Sequence, residues 1–300
     1  MPDTVWLNGR FLSRDEAKVS AFDAGMQHGV GLFETMLATQ GRIFRIERHM
    51  ARIDRSTREL GLTEKLHTSA LAEAAETAVE KSELAQGDKR ARVRLTITGG
   101  DLNMLAGAGK GPSDPTILIS VTPATEYPPA LVERGIHVLI AQPKTNPFDP
   151  TAGHKTLNYW WRLRALQIAG AQGASEALVL QVTNHISCGC VSNLFAVKNG
   201  TLITPIAHGE EAKGALPSPV LPGVTRGAIL EFAAAQKLEV DRRMMTIADV
   251  LDADEVFLTN SSWGVLPVVK VEAKEIASGV PGGVTKSLRE AWLTAVRDEP

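Results

Sequence analysis

Cysteine is nearly absent from this chain of 300 residues: Cys188 and Cys190, one residue apart, are the whole supply. Neighbours that close cannot staple a fold, and with no second pair they cannot complete a tetrahedral zinc site. Charge of one sign is lacking too. Thirty-two basic against 34 acidic residues leave a net charge of −2, which gives no electrostatic footprint for nucleic acid or an anionic membrane. No apolar run reaches the roughly 18 residues of a membrane span. Met1-Pro2-Asp3-Thr4 carries neither the basic nor the apolar region of a secretion signal, so a cytoplasmic protein is expected. Hydrolytic signatures are also missing. There is no Gly-x-Ser-x-Gly elbow, no two of the seven histidines stand at metal-ligand spacing, and no bound metal is expected.

What is present is ordinary globular material, 44% hydrophobic and 22% charged. At roughly 100–200 residues per domain the length suits two domains. Residues 1–122 read as a small α/β domain. Val5-Trp6-Leu7 and Gly41-Arg42-Ile43-Phe44 look like strands, and Ile46, Met50, Ile53 and Leu60 recur at helical spacing over 46–60. A second helix is predicted over 69–82, with Leu71, Ala75, Ala78, Val79 and Ser82 on one face. Ala91, Val93, Leu95 and Ile97 alternate with polar neighbours as a half-buried strand does, and Ile117–Val121 reads as a buried one. Between them Gly99–Pro115 is a glycine-rich loop that could cover a site. It fits neither the phosphate-loop nor the dinucleotide spacing.

Residues 123–134, with proline-rich Pro123–Pro129, are expected to link this domain to a larger one over 135–300. There, strands are predicted at Ile136–Ala141, Ala177–Val182, Glu255–Thr259 and Val265–Val271, with helices over 157–169 and 224–236. Leu157, Trp161, Ala165 and Ile168 would share the buried face of the first of these helices. Leu194–Lys198 and Thr201–Thr204 flank Asn199-Gly200, a strong hairpin signal. Strand-rich and hairpin-rich, this part should build a barrel-like mixed sheet. The fold class is therefore α/β of the α+β kind.

Three stretches carry chemistry. Lys155 lies in His154-Lys155-Thr156-Leu157-Asn158-Tyr159-Trp160-Trp161. An ammonium held against apolar and aromatic walls loses solvation, which suits it to imine chemistry. Leu221-Pro222-Gly223-Val224-Thr225-Arg226 opens a helix, where free N–H groups and the helix dipole favour an anion. Leu258-Thr259-Asn260-Ser261-Ser262-Trp263-Gly264 sets small hydroxyl residues after a strand, where they could hold phosphate oxygens. Each stretch alone is equally an ordinary solvated lysine or a polar turn.

In order along the chain, these stretches join others. They are Leu7-Asn8-Gly9, Asp23-Ala24-Gly25, Gly29-Val30-Gly31-Leu32-Phe33-Glu34-Thr35, His49-Met50-Ala51-Arg52-Ile53, Ser192-Asn193-Leu194-Phe195, and Gly200 through Thr204-Pro205. The ordered set resembles the class IV aminotransferases, pyridoxal-phosphate enzymes of fold type IV, which include branched-chain and D-amino-acid aminotransferases and aminodeoxychorismate lyases. The resemblance implies pyridoxal 5'-phosphate as cofactor, bound between a small α/β domain and a larger barrel-like one. It also implies a homodimer whose partner completes the site.

By position Lys155 resembles the imine-forming lysine, and its amine the proton shuttle. Arg52, Val224, Thr225 and Ser261 match phosphate contacts, and Tyr159 a tyrosine near the phenolic oxygen. His28, Phe33, Arg94 and Ser262 fall at substrate positions. Cys188 departs from the pattern. It stands five residues before Asn193, where the family carries a glutamate paired with the pyridine nitrogen. A neutral thiol there would face the ring and weaken its capacity as an electron sink. The resemblance implies an aminotransferase acting on an amino acid, branched-chain-like or broad, and a 2-keto acid. An aminodeoxychorismate lyase and a non-catalytic descendant stay open as alternatives.

Overall fold

The computed structural model describes residues 4–299 apart from 64, 85–86, 88 and 102–113. Most of the predicted glycine-rich loop over 99–115 thus lies outside the described residues. The chain divides into two compact units. One runs to Thr125 and takes in Lys155–Asn158 and the residues from Val296 onward; the other comprises Glu126–His154 and Tyr159–Ala295.

The first unit holds β1 (Thr4–Leu7), β2 (Arg10–Ser13), α1 (Ala24–His28), β3 (Gly31–Thr39), β4 (Arg42–Ile43), α2 (Ile46–Glu59), α3 (Thr68–Ser82), β5 (Arg90–Thr98) and β6 (Ile117–Pro123). The strands form one antiparallel sheet in the order β2-β1-β6-β5-β3-β4. Strand periodicity sorts its faces. Leu32, Met36 and Ala38 of β3 line up with Ile97, Val93 and Ala91 of β5, and this face packs on Met50 and Ile53 of α2 and on Leu71, Ala75 and Val79 of α3. Each large side chain buried this way is worth about 1.5–3 kcal/mol, so the two helices are held by the stripes their spacing predicts. The opposite face carries Phe33 beside Thr96 and Thr35 beside Arg94.

The second unit holds α4 (Ala130–Glu133), β7 (Ile136–Ile140), α5 (Trp160–Ala171), β8 (Glu176–Leu180), β9 (Ile186–Gly189), β10 (Asn193–Lys198), β11 (Thr201–Thr204) and α6 (Val224–Ala235). It continues with β12 (Val240–Arg242), α7 (Ile247–Leu251), β13 (Glu255–Asn260), β14 (Gly264–Val271), β15 (Lys274–Glu275) and most of α8 (Gly283–Asp298). Its sheet runs β12-β11-β10-β13-β14-β7-β8-β9, with β15 on β14, and curls as a half-barrel. The sheet is mixed: β11/β12, β14/β7 and β7/β8 are parallel and the other pairs antiparallel. Asn199 and Gly200 both take positive φ, 49° and 80°, as a type I′ hairpin turn requires. On β8, Leu178 enters one core with Val138, Ile186 and Leu194. Its neighbours Ala177 and Val179 enter another with Cys188, Cys190 and the α5 residues Ala165 and Ala169.

Two expectations need correction. Helix α5 begins at Trp160, three residues later than predicted, because the backbone before it is committed elsewhere: Phe33 N donates to Lys155 O at 2.9 Å and Leu157 N to Gly31 O at 2.9 Å. Ile168 is exposed and Ala169, one turn past buried Ala165, takes the buried position against Cys188 and Cys190.

Candidate active site

Lys155 is fixed through its backbone. Those two hydrogen bonds, with a bridge between Leu32 and Thr156, lay residues 155–157 along the start of β3. A side chain at position 31 would block this, because a Cβ on Gly31 would meet Ile97 O at 2.5 Å and Leu157 Cδ1 at 2.7 Å. The Lys155 Nζ stands 4.4 Å from the Phe33 ring centroid. The guanidinium of Arg94 lies 3.7 Å from the same centroid, and its Nε donates to Thr96 Oγ1 at 3.3 Å. Phe33, 4% exposed, therefore ties the predicted reactive amine to an arginine predicted to line the substrate.

On the helix-covered face, Glu34 is buried with Arg52 and His49 of α2. Arg52 donates from Nε to Glu34 Oε1 at 2.8 Å and from Nη2 to Oε2 at 2.5 Å. That two-point pairing fixes the plane of the guanidinium as well as its place. His49 Nδ1 lies 2.8 Å from Glu34 Oε2. Burial pushes the Glu34 carboxyl up, but Arg52 and His49 together override it and hold it at about 2. Burial also holds His49 below its usual range, so at neutral pH the contact is a neutral N–H donating to a carboxylate rather than an ion pair. Glu34 stands in the Gly31-Leu32-Phe33-Glu34-Thr35 motif, yet nothing in the sequence alone shows that it anchors Arg52. His28 ends α1 and is exposed.

In the second unit, α6 starts at Val224 behind Gly223, with no side chain capping its N-terminus. Helical bonding begins with Gly227 N donating to Gly223 O at 2.9 Å, so the N–H groups of Val224, Thr225 and Arg226 point out of the helix end. Asn193 pins the turn, donating from Nδ2 to Leu221 O at 2.8 Å, and a Cβ on Gly223 would overlap its Oδ1. Thr259 pairs with Asn193 across β13 and β10. Its buried hydroxyl has no hydrogen-bond partner. In the following turn, Asn260 Oδ1 accepts from Ser262 N at 2.9 Å and Trp263 N at 3.1 Å, and Asn260 Nδ2 donates to Val191 O at 3.3 Å. Ser261 and Ser262 are thereby held half-buried at the head of that turn.

Cys188, 4% exposed on β9, has a neighbour the sequence does not announce. Arg162 of α5 directs Nη1 at its Sγ, 3.5 Å away, and at the carbonyl oxygens of Gly189 (3.4 Å) and Cys190 (3.1 Å). The same guanidinium lies 5.7 Å from the Tyr159 ring and 4.4 Å from that of Trp161. Glu176, fully buried on β8, accepts from Ala177 N, Cys190 N, Val191 N and Ser192 Oγ at 3.0–3.3 Å. Burial raises its pKa against those donors. Arg162 was missed because it sits seven residues past Lys155, on a helix whose apolar and polar residues are not cleanly segregated. Glu176 was missed because an acidic residue opening a strand gives no signal of its own.

The family model of amino-transferase class IV matches residues 31–271. A putative branched-chain-amino-acid aminotransferase of Methanocaldococcus jannaschii is 29% identical over 292 residues, covering 96% of this chain and 94% of that protein. The crystal structure of the Escherichia coli branched-chain amino acid aminotransferase superposes with a TM-score of 0.85 at 28% identity, over 98% of this chain and 94% of that one. The 4-amino-4-deoxychorismate lyase of Pseudomonas aeruginosa does so with a TM-score of 0.80 at 28% identity, over 98% and 99%. The architecture and the ordered motifs agree with this match: the chain belongs to the class IV aminotransferases, enzymes that use pyridoxal phosphate.

Proposed function

We propose that this protein transfers an amino group between an amino acid, branched-chain-like or broad in side chain, and a 2-keto acid. The observation that carries this reading is the Phe33 ring, with Lys155 Nζ at 4.4 Å and the Arg94 guanidinium at 3.7 Å. A reactive amine and a fork-shaped cation that can pair with a carboxylate thereby lie against one ring. Amino and keto acids bring both matching groups.

Pyridoxal 5'-phosphate fits the residues present. The uncapped start of α6, the orphaned Thr259 hydroxyl and the side-chain-free Gly223 make an anion cradle. Val224, Thr225 and Ser261 are assigned to the phosphate, and so is Arg52, whose guanidinium Glu34 orients. Tyr159 is assigned to the phenolic oxygen and Cys188 to the ring nitrogen. When bound, the cofactor supplies the electron sink for the pair left when the substrate Cα–H bond breaks. Lys155 would hold the cofactor, and its Nζ would take the substrate α-proton and return it, so no second base is needed. Phe33 walls the substrate, Arg94 pairs with its carboxylate, and His28 and Ser262 contact it.

Two copies of the chain form the working assembly, with the site near their interface. Trp160 and Leu163, three apart on α5, are 79% and 49% exposed, a face that a partner would cover. No helix among the described residues is long and apolar enough to cross a membrane, in keeping with a cytoplasmic enzyme.

A lyase releasing pyruvate and 4-aminobenzoate is the second reading, favoured by the match to the Pseudomonas enzyme. Incubation with an amino-acid panel plus 2-oxoglutarate, and separately with aminodeoxychorismate, tests the two. Transamination is expected, with Arg94→Gln raising KM for the keto acid about tenfold or more at little changed kcat. Release of 4-aminobenzoate without transamination would replace the first reading with the second.

A further inference from the structure

We propose that Arg162, acting through Cys188, keeps the cofactor's ring nitrogen unprotonated, so that the pyridine accepts a hydrogen bond instead of carrying a proton. The inference rests on the reading above, which places pyridoxal phosphate against Cys188.

The hydrogen bonds around Cys188 run one way. Arg162 Nη1 lies 3.5 Å from its Sγ, and Ser187 Oγ also donates to it at 3.5 Å. With two donors aimed at it the sulfur is the acceptor, and its own S–H is left to donate onward. A guanidinium has no acceptor site and does not give up its charge in proteins. The chain from Arg162 through Cys188 therefore delivers a donor to whatever stands in front of the thiol, and nothing in it can take a proton from a pyridinium N–H.

Charge points the same way. Among the described residues no carboxylate pairs with Arg162, whose partners are Sγ and the carbonyl oxygens of Gly189 and Cys190. The nearby buried carboxylate, Glu176, is turned to the loop and already accepts from three backbone N–H groups and the Ser192 hydroxyl. Burial pushes the Cys190 thiol well up, so it adds no negative charge, and Tyr159 presents its ring to the guanidinium. Where the family's glutamate would put a negative charge beside the ring nitrogen, this chain puts a positive one behind a thiol. A cation within several ångströms disfavours a second positive charge.

An unprotonated ring draws less electron density from the substrate carbon. The consequence is slower loss of the α-proton, with more of the catalysis left to the Lys155 amine.

The test is 15N NMR of the holoenzyme reconstituted with ring-15N pyridoxal phosphate, titrated with pH, since the ring-nitrogen shift reports protonation directly and independently of turnover. The wild-type nitrogen should stay in the unprotonated range throughout the neutral region. Arg162→Gln should raise the pH at which it protonates by about one unit or more, whereas Arg162→Lys, which keeps the charge, should lie near wild type. Cys188→Glu, which neutralises Arg162 and supplies an acceptor, should raise it furthest and holds the test if Arg162→Gln fails to fold. A wild-type nitrogen protonated at neutral pH, or a Cys188→Glu nitrogen that does not move, overturns the proposal and leaves the aminotransferase reading standing. A protein that retains no labelled cofactor overturns both.

Discussion

Replacing Glu34 with glutamine removes the negative charge from beneath Arg52 while keeping the side chain's shape. Glu34 is 1% exposed and Arg52 8%, so the cation loses its counter-ion where water cannot replace it. The carboxyl is held at about 2 against an ordinary 4.5, which corresponds to about 3 kcal/mol of native-state preference for the charged form at neutral pH. Breaking a buried pair from one side costs about 3–5 kcal/mol by a separate route, and the two magnitudes agree.

The sign follows from the direction of that displacement. A carboxyl held below its unfolded value contributes its full share above pH 4.5 and loses it as pH falls toward 2. Buried His49 moves stability the same way somewhat earlier, because the unfolded chain protonates its imidazole near the ordinary 6.5 while the folded chain resists. Urea unfolding at pH 7, with hydrogen exchange of the β3 and α2 amides to localise the effect, should show Glu34→Gln weakened by about 3 kcal/mol. Glu34→Gln combined with Arg52→Leu should lose clearly less than the two single changes summed. A loss under about 1 kcal/mol, or additive losses in the double variant, would refute the coupling.

Two further outcomes follow from the site. Lys155→Ala should abolish turnover while leaving the unfolding midpoint unchanged; borohydride reduction and peptide mass spectrometry of the wild type should place the cofactor mass on Lys155 and on no other lysine. Gly223→Ala should raise the cofactor Kd about tenfold or more, because its Cβ overlaps Asn193 Oδ1 and shifts the start of α6; cofactor titration by fluorescence quenching reads this, and an unchanged Kd would remove α6 from the phosphate site.

Where one face of an element is dry and the other wet, the sequence was readable. The stripes of α2 and α3 and the alternation of β5 are of that kind, and they appear within a residue or two of their predicted bounds. β3 was not predicted, because Leu32, Met36 and Ala38 face the helices while Phe33 and Leu37 are buried on the other side. With both faces apolar, its period of two vanishes. The final helix, α8, went unread although Leu288, Trp292 and Ala295 repeat at helical spacing and are buried. At the candidate site, the motifs name residues but not partners. Glu34 and Arg52 are eighteen residues apart and Arg162 and Cys188 twenty-six, and neither pairing has a local pattern to betray it. Only the packing of a helix on a sheet brings such residues together.

The short segment Lys155–Asn158 belongs to the first unit although the chain on either side of it belongs to the second, and the end of the chain from Val296 belongs to the first as well. At that end, Arg45 holds Glu299 through a two-point ion pair at 2.6 and 2.8 Å. A gene cut after Thr125 would therefore yield a fragment stripped of Lys155, of the backbone that occupies the start of β3, and of the Glu299 that Arg45 holds. No single breakpoint separates the units with their parts intact. Swapping one of them between homologous enzymes would demand four junctions, and recombination that exchanged only the residues up to Thr125 would leave the donor's Lys155 behind.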